Sequence, residues 1–582
     1  MKNNFKKTKV LGLAALCALS SSLLGACGGG NGGGFFGDEL IEEIDKSKTQ
    51  IYVEIFNGGY GKEWLELLKT DFEKEYPQYQ VMITPAKRDM YTISSAIQTG
   101  NGSADVYFTA GPMYVKDLAF SDLLVDLSDI YQEKAAEDET YTLKEKIIDS
   151  EIYEQAFSNA NGTGIYCLPY GIGFTGIILD MDLFIEKGWC EFATASDGEA
   201  LTAQGITYTE KAGSLYFVSS TGKTNYEAND IILSKGRDGK YGTYDDGQPT
   251  TMDDFEMMLA KIQASGTYNP FIFSTEQMDY VDNVTMTVAA TYEGVSNFDT
   301  YTTSKGVYSR TGEEITYENG YKAYQMEGWE KGATFMHDYI TRPDISYATE
   351  VKNNLSFEEA KNKFLAGYKI ASSKNKAGAM LIEGPWWENE AKPMFEALGR
   401  TDASRAYGKR DYRYLIFPYM DGAYGLDGNG KGQIFTSYDE GLIFIDKAAA
   451  TRHNSVDGAK LLVQYSCRDK YIQEVAKIGC YRPYKVDYSD VYEEMTPYVA
   501  NFIDMISDLE NVKIYARFAK CYTDPFMYYG VGASTKQVLQ DLASLYFYEN
   551  TSRTVQQYLN AINPGVNTWN SYLESYRRAT NS

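Results

Sequence analysis

The chain has 582 residues, 43% of them hydrophobic, and a formal net charge of −25. That length exceeds what one hydrophobic core usually organises, so at least two lobes are expected. The acidic balance argues against nucleic acid and against a basic membrane-binding surface, while 50 Tyr against 27 Phe is an excess of rings with a polar tip, suited to a neutral, hydrogen-bonding partner.

Residues 1–26 read as a signal peptide rather than as fold. Lys2, Lys6, Lys7 and Lys9 make a basic stretch, and Val10 to Leu24 is an apolar run too short to span a bilayer comfortably. The run ends in Leu24-Gly25-Ala26-Cys27, which is similar to a bacterial lipobox, so Cys27 is expected to be lipidated and to become the mature N-terminus. The stretch GGGNGGG (Gly28 to Gly34) follows and has the composition of a flexible leash. Residues 27–47 are therefore expected to tether a body at the extracellular face of a bacterial cell membrane, with the lipid as the only membrane contact. The later cysteines, Cys167, Cys190, Cys467, Cys480 and Cys521, are odd in number and scattered, so free buried thiols are expected rather than a disulfide framework or a zinc site.

The body opens with alternating, β-rich Ile51 to Phe56, a glycine loop Asn57 to Gly61, and Trp64, Leu65, Leu68 and Phe72 at helical spacing before Pro77. A second strand follows at Gln80 to Thr84, which makes a βα unit of a parallel sheet. ADVYFTAG (Ala104 to Gly111) is another strand ending in a glycine loop. Gly164 to Trp189 holds two β-rich runs around a glycine-rich middle and then a helix begun by Asp182. Thr251 with Asp254 forms a capping box for a helix whose inner face is Phe255, Met258, Leu259 and Ile262. Two polar, glycine- and threonine-rich stretches, about 190–249 and about 291–318, are expected to be hairpin-like excursions. Residues 497–582 are expected to be mainly helical. Ligands of open α/β sheets sit where loops leave the carboxyl ends of strands. The loops placed there, NGGYG, TAGPMY and PYGIGF, each pair glycine with an aromatic ring.

In order along the chain, the lipobox and tether, GYGKEWLELLKTDFEKEYPQYQV, ADVYFTAG, GIYCLPYGIGFTGIILDMDLFIEKGW, AGAMLIEGPWWENE, and YDEGLIFIDKAA with AKLLVQYSCRDKYIQEVAKIGCYRPY resemble extracellular solute-binding proteins of bacterial ABC importers, in the maltose-binding-protein-like family that binds sugars. The resemblance covers most of residues 51–484 outside the two insertions and lies in the order of weak motifs rather than in any one. It implies a two-lobe α/β fold of the type II periplasmic-binding-protein kind, hinged, with insertions and a helical C-terminal segment. It further implies an N-lobe of residues 48–167 and 434–482 and a C-lobe of residues 168–433 and 483–582. The chain would cross near Cys167 to Tyr170, Gly430 to Gln433 and Arg482 to Val486. The implied partners are an oligosaccharide and the ABC permease subunits with their cytoplasmic ATPase, which fits the lack of a GxxxxGK[ST] motif. A monomer with no cofactor is expected.

Sugars have flat apolar faces and a rim of hydroxyls, so rings stack on the face while acids and amides bind the rim. Two of the six tryptophans stand together in EGPWWENE, Glu383 to Glu390. Trp386 falls on the family's stacking position after Gly-Pro, with Trp387 a second candidate. The loops add Asn57 and Tyr60, Thr109 and Tyr114, Tyr170 and Phe174, and Tyr438 and Asp439. DPFMYYG resembles a late cleft segment and adds Tyr528. Gly173 stands where the family's type member has a carboxylate. In the first insertion, Asp238, Asp245 and Asp246 cluster in a glycine-rich loop. That loop reads either as a solvated hairpin or, as in relatives with a comparable insertion, as a structural calcium site.

The rival class is a surface-anchored glycoside hydrolase working through a carboxylate pair. Composition argues against histidine-based triads and zinc sites: His337 and His453 are the only histidines, and no G-x-S-x-G occurs.

Overall fold

The computed structural model describes residues 43–218, 223–347, 354–369, 371–426, 428–532 and 542–580. Cys27, the signal peptide and the glycine leash lie outside them. Residues 45–582 form a single unit by internal contacts, and everything below concerns that unit.

Strand β1 (Thr49–Phe56) buries Ile51, Val53 and Ile55, and helix Glu63–Glu75 buries Trp64, Leu65, Leu68 and Phe72 against it. β2 (Tyr79–Ala86) and β3 (Val106–Phe108) pair in parallel on either side of β1. β4 (Leu168–Gly173) ends one sheet, and β5 (Gly176–Asp180) begins another after two residues. Asp180 caps the helix Met181–Lys187 through the Leu183 N–H, so the cap lies two residues before the expected start at Asp182.

The first insertion holds the hairpin β6 (Tyr208–Lys211) and β7 (Ser214–Phe217) over a small core of Leu201, Leu215, Ile232 and Tyr241. The expected helix follows at Met252–Ala264, with the Thr251–Asp254 capping box formed and its four apolar residues buried. Next come β8 (Tyr268–Ile272) and a long helix, Met278–Thr303, kinked at Gly294 (φ 74°). Only then does the hairpin β9 (Gly306–Tyr308) and β10 (Glu313–Ile315) appear. The second insertion is thus smaller than expected, because Thr291–Thr303 is the buried second half of that helix.

β11 (Ala377–Glu383), β12 (Tyr412–Tyr414), β13 (Gln433–Thr436), β14 (Asp439–Ile445) and β15 (Val512–Tyr515) complete the strands. The first sheet runs β2-β1-β3-β14-β4 and the second β12-β5-β11-β8, while β13 and β15 pair in parallel by themselves. Each sheet has its own core.

Strand pairing and core membership depart from the implied lobe boundaries, and residues between 286 and 329, among them Met286, Phe298 and Trp329, join the first core. β4 pairs with β14 as far as Gly173, so the first crossing is Phe174–Thr175 rather than 167–170. The C-terminal segment divides: Tyr498, Phe502 and Phe547 join the second core, whereas Phe518, Phe526, Tyr528 and Trp569 join the first. Along the segment of the implied third crossing, Ile172 N–H donates to Tyr481 O and Ile148 N–H to Pro483 O, both at 2.8 Å. The first insertion also holds the second crossing: Arg237 donates to the carbonyls of Phe417, Gly430 and Gly432 and lies over the Tyr419 ring. All five expected thiols are free and buried. Among the described residues no helix is long and apolar enough to cross a membrane.

Candidate ligand-binding site

β1, β2 and β3 direct their carboxyl ends to one edge of the first sheet, where loops gather. Phe56 and Gly58 to Tyr60 leave β1, Lys87 follows β2, and Thr109 and Ala110 follow β3. From the second sheet, β11 ends at Glu383, and Gly384-Pro385 turns the chain to present Trp386, while Tyr280 stands in the first turn of the helix after β8. These residues, with Tyr170, Gly171 and Gly173 of β4 and Tyr438, Asp439 and Gly441, line a cavity of about 240 Å³. Two larger hollows, about 450 and 700 Å³, share Glu139, Thr140 and Asp469 and lie away from the strand ends. Their acids are already committed, since Lys146 pairs with Glu139 at 2.8 Å and Asp469 at 2.5 Å.

The seat of Trp386 is built from glycine. A Cβ at Gly59 would come within 2.6 Å of Trp386 Cβ, one at Gly173 within 2.9 Å of Cζ3, and one at Gly384 within 2.3 Å of Cζ2. No other residue type admits the indole at these three places without displacement. The ring thereby reaches from the second sheet onto the first-sheet loop, and Asn389 Nδ2 fixes that approach with a 2.7 Å hydrogen bond to Gly59 O. Tyr60 and Tyr280 meet the indole edge-on at 5.9 and 5.7 Å, and Tyr280 in turn meets Tyr438 at 4.6 Å. Gly173, where the resemblance led one to expect a carboxylate, is instead required by the indole.

The hydroxyls of Tyr60 and Tyr170 are buried in this wall without a hydrogen-bond partner in the protein. The Cys480 thiol and the Trp64 indole are near them, outside hydrogen-bond geometry. A buried hydroxyl left unpaired costs about 1–3 kcal/mol; both hydroxyls are covered by the first core rather than presented on the cavity surface. Burial also raises both phenol pKa values well above the ordinary range, so both remain donors. The other polar groups are partly engaged. Tyr438 donates to Asp279 at 2.8 Å, Asp439 accepts from Glu440 N–H at 3.0 Å, and Thr109 Oγ1 bonds to the Leu442 and Gly111 carbonyls. Behind Trp386, Lys361 lies between Glu390 at 2.6 Å and Glu383 at 3.5 Å; burial pushes Glu383 up to about 7 while Lys361 opposes that rise. The wall offers flat ring surface, neutral donors and a few rim charges, which is the chemistry of a neutral polyhydroxylated ligand.

Of the residues expected at the site, Tyr60, Thr109, Tyr170, Trp386, Tyr438 and Asp439 converge on the cavity. Asn57 lies beside it without lining it, its N–H bonded to Ala86 O at 2.7 Å. Tyr114 is outside, edge-on to Tyr91 at 6.0 Å. Phe174 is corrected to a core residue: the crossing drives it between Phe435, Tyr414 and Phe502 with no exposure. Trp387 is likewise sealed, among Phe364, Phe395, Tyr412 and Tyr498. Tyr528 is buried in the first core against Tyr522 and Tyr529. The structure adds Phe56, Lys87, Tyr280 and Glu390. Tyr280 was legible in principle, because the apolar run Tyr268 to Phe273 is a strand and Tyr280 sits in the loop-to-helix turn at its carboxyl end.

The loop holding Asp238, Asp245 and Asp246, read above either as a solvated hairpin or as a calcium site, is closed by hydrogen bonds of its own. Among the described residues no group of three or more His, Cys, Asp or Glu is placed to hold a metal ion. Asp245 accepts from the N–H groups of Arg237 and Asp238, Asp246 from Gly242 N–H, and Asp238 from Lys240 N–H. Thr243 Oγ1 donates to both Asp245 and Asp246. The carboxylates tie the loop to itself.

No family model and no curated protein matches the sequence. Solved structures do match in fold. One comes from work on xylan utilization by the thermophilic bacterium Caldanaerobius polysaccharolyticus, at 14% identity and TM-score 0.54, covering 88% of this chain and 99% of that one. Another is the apo form of RafE from Streptococcus pneumoniae, at 13% identity and TM-score 0.51, covering 91% of this chain and 100% of that one. The chain has the two-lobe α/β fold of solute-binding proteins.

Proposed function

We propose that the protein is the extracellular substrate-binding component of an ABC importer, anchored by a lipid on Cys27. It captures an oligosaccharide between its lobes and delivers it, as a monomer, to permease subunits driven by a cytoplasmic ATPase. The observation that carries this reading is the Trp386 indole seated on three glycines in the wall of a cavity lined from both sheets. A ring for the sugar face comes from the second sheet and a carboxylate for its rim, Asp439, from the first, so a sugar bound there contacts both lobes and favours the closed arrangement. The fold likeness to a protein from work on xylan utilization supports plant-polysaccharide fragments as first probes.

The test is titration calorimetry on β-1,4-xylo- and α-1,4-gluco-oligosaccharides, followed by chromatography of the recovered sugar. Binding with the sugar returned intact is expected. Shortened sugar would assign the cleft to a hydrolase, with Asp439 and Glu390 as the first carboxylates to replace. Loss of membrane association on Cys27→Ala tests the anchor.

A further inference from the structure

The cavity of about 240 Å³ is smaller than the about 300–1,000 Å³ of pockets that enclose a whole ligand. An oligosaccharide held there has to continue outside it. Two of the cavity's own segments lead to the same place. Lys87 and Ala110 line the cavity, and four residues beyond each stand Tyr91 and Tyr114, whose rings meet edge-on at 6.0 Å. Four residues of chain reach at most about 14 Å, so the ring pair lies within a few sugar units of the wall.

Tyr91 is 64% exposed, which is unusual for so large a ring. It is held rigidly, in the first turn of helix Met90–Gln98, whose Asp89 cap accepts the Thr92 N–H at 2.8 Å. Tyr114 has φ 65°, in the left-handed region. A bulky residue there is strained, and such strain gathers at ligand-contacting sites. Glycine would relieve it, yet the position carries a ring.

Resting on the saccharide-binding reading above, we propose that Tyr91 and Tyr114 form an outer carbohydrate subsite, a stacking surface for the units of a longer chain that protrude from the Trp386 cavity. The pair sets a preference for chain length, while the inner cavity holds the terminal residue.

The experiment is calorimetry of Tyr91→Ala against two- to six-unit members of the xylo- and gluco-oligosaccharide series. Tyr91 lies on a helix surface, so the fold is kept. The expected result is an affinity loss of about three- to tenfold for the longer members, the usual scale of one ring contact, with two-unit sugars unchanged. Tyr114→Gly, which removes the backbone strain, reproduces the long-chain loss while the melting temperature holds or rises. Equal losses at every length, or none at any length, overturn the subsite but leave the Trp386 site standing. If Trp386→Ala leaves all affinities unchanged, or no sugar in either series binds, the saccharide reading falls and the subsite with it.

Discussion

Replacing Trp386 by alanine tests the site most directly. The indole is 8% exposed, packs on Gly59, Gly173 and Gly384, and lines the cavity. A tryptophan buries about 150–250 Å² in all. The free part is then about 20 Å², and with the matching sugar face about 40 Å² leaves water, about 1 kcal/mol at about 25 cal/mol per Å². Ring-specific attraction adds about 0.5–1 kcal/mol, so affinity should fall about ten- to thirtyfold. Stability should fall by less than the about 3–5 kcal/mol of a sealed tryptophan, because water can occupy a space that opens on the cleft. A domain stable by about 5–15 kcal/mol then stays folded. Titration calorimetry gives the affinity, and a thermal melt of the same sample shows whether the fold survives. A dissociation constant within twofold of the native protein's would refute the assignment of the indole as platform.

The neighbouring position should behave in the opposite way. Trp387→Ala opens a hole among Phe364, Phe395, Tyr412 and Tyr498 and should cost about 3–5 kcal/mol in a denaturant melt, with sugar affinity kept below the melt. Gly173→Ala places a methyl 2.9 Å from Trp386 Cζ3 and should weaken binding at least tenfold on calorimetry with little loss of melting temperature, on the about 1–3 kcal/mol scale of overpacking. Burial pushes Glu388 up to about 7 from an ordinary 4.5, against the Thr496 hydroxyl that donates to it at 2.6 Å. The folded protein therefore holds a proton that the unfolded chain releases near 4.5, so this group's contribution is full below that pH and is lost as pH rises through about 7. Glu388→Gln keeps the neutral form, so its melting temperature should exceed the native one at pH 8 and match it at pH 5; parallel shifts at both would show the pH dependence lies elsewhere.

How far the sequence could be read depended on whether burial followed a simple period. β1 and its helix show alternation and then 3.6-residue spacing of Trp64, Leu65, Leu68 and Phe72, and both formed as expected. The Thr251–Asp254 box also formed, because a cap is a local chemical contact that needs no distant partner. The helix over Thr291–Thr303 was missed for the converse reason. Asn283, Thr287 and Thr291 repeat every four residues, but they are polar, and polar residues rich in threonine read as loop. They are buried because they serve the backbone of β13: Asn283 Nδ2 donates to Thr436 O at 2.9 Å, Thr436 N–H to Thr287 Oγ1 at 3.3 Å, and Ile434 N–H to Thr291 Oγ1 at 3.0 Å. A helix face acts here as the missing neighbour of a strand, which only the tertiary structure reveals. The site divided along the same line. Rings in glycine loops at strand ends, such as Tyr60 and Tyr170, were found, whereas Tyr280 depended on first recognising β8 as a strand.

The adjacent tryptophans show how one local turn gives the same residue type two fates. Trp386 is the residue preceding the short helix Trp387–Glu390, and Trp387 is its first residue. A helical step rotates successive side chains by about 100°, so two neighbours there cannot share one surroundings. Trp387 turns back under β11 into the second core, and Trp386 is left facing the first-sheet loop. That direction has space only because glycine stands at 59, 173 and 384, on a loop, a crossing strand and the turn itself. The glycines that made these loops look flexible in the sequence are thus what lets a rigid ring bridge the two sheets. The closure proposed above is then tied to Trp386, since its seat on Gly59 joins a residue that follows β11 to a loop that follows β1. A variant that weakens binding through the seat should consequently loosen the closed arrangement as well, whereas Tyr91→Ala should not.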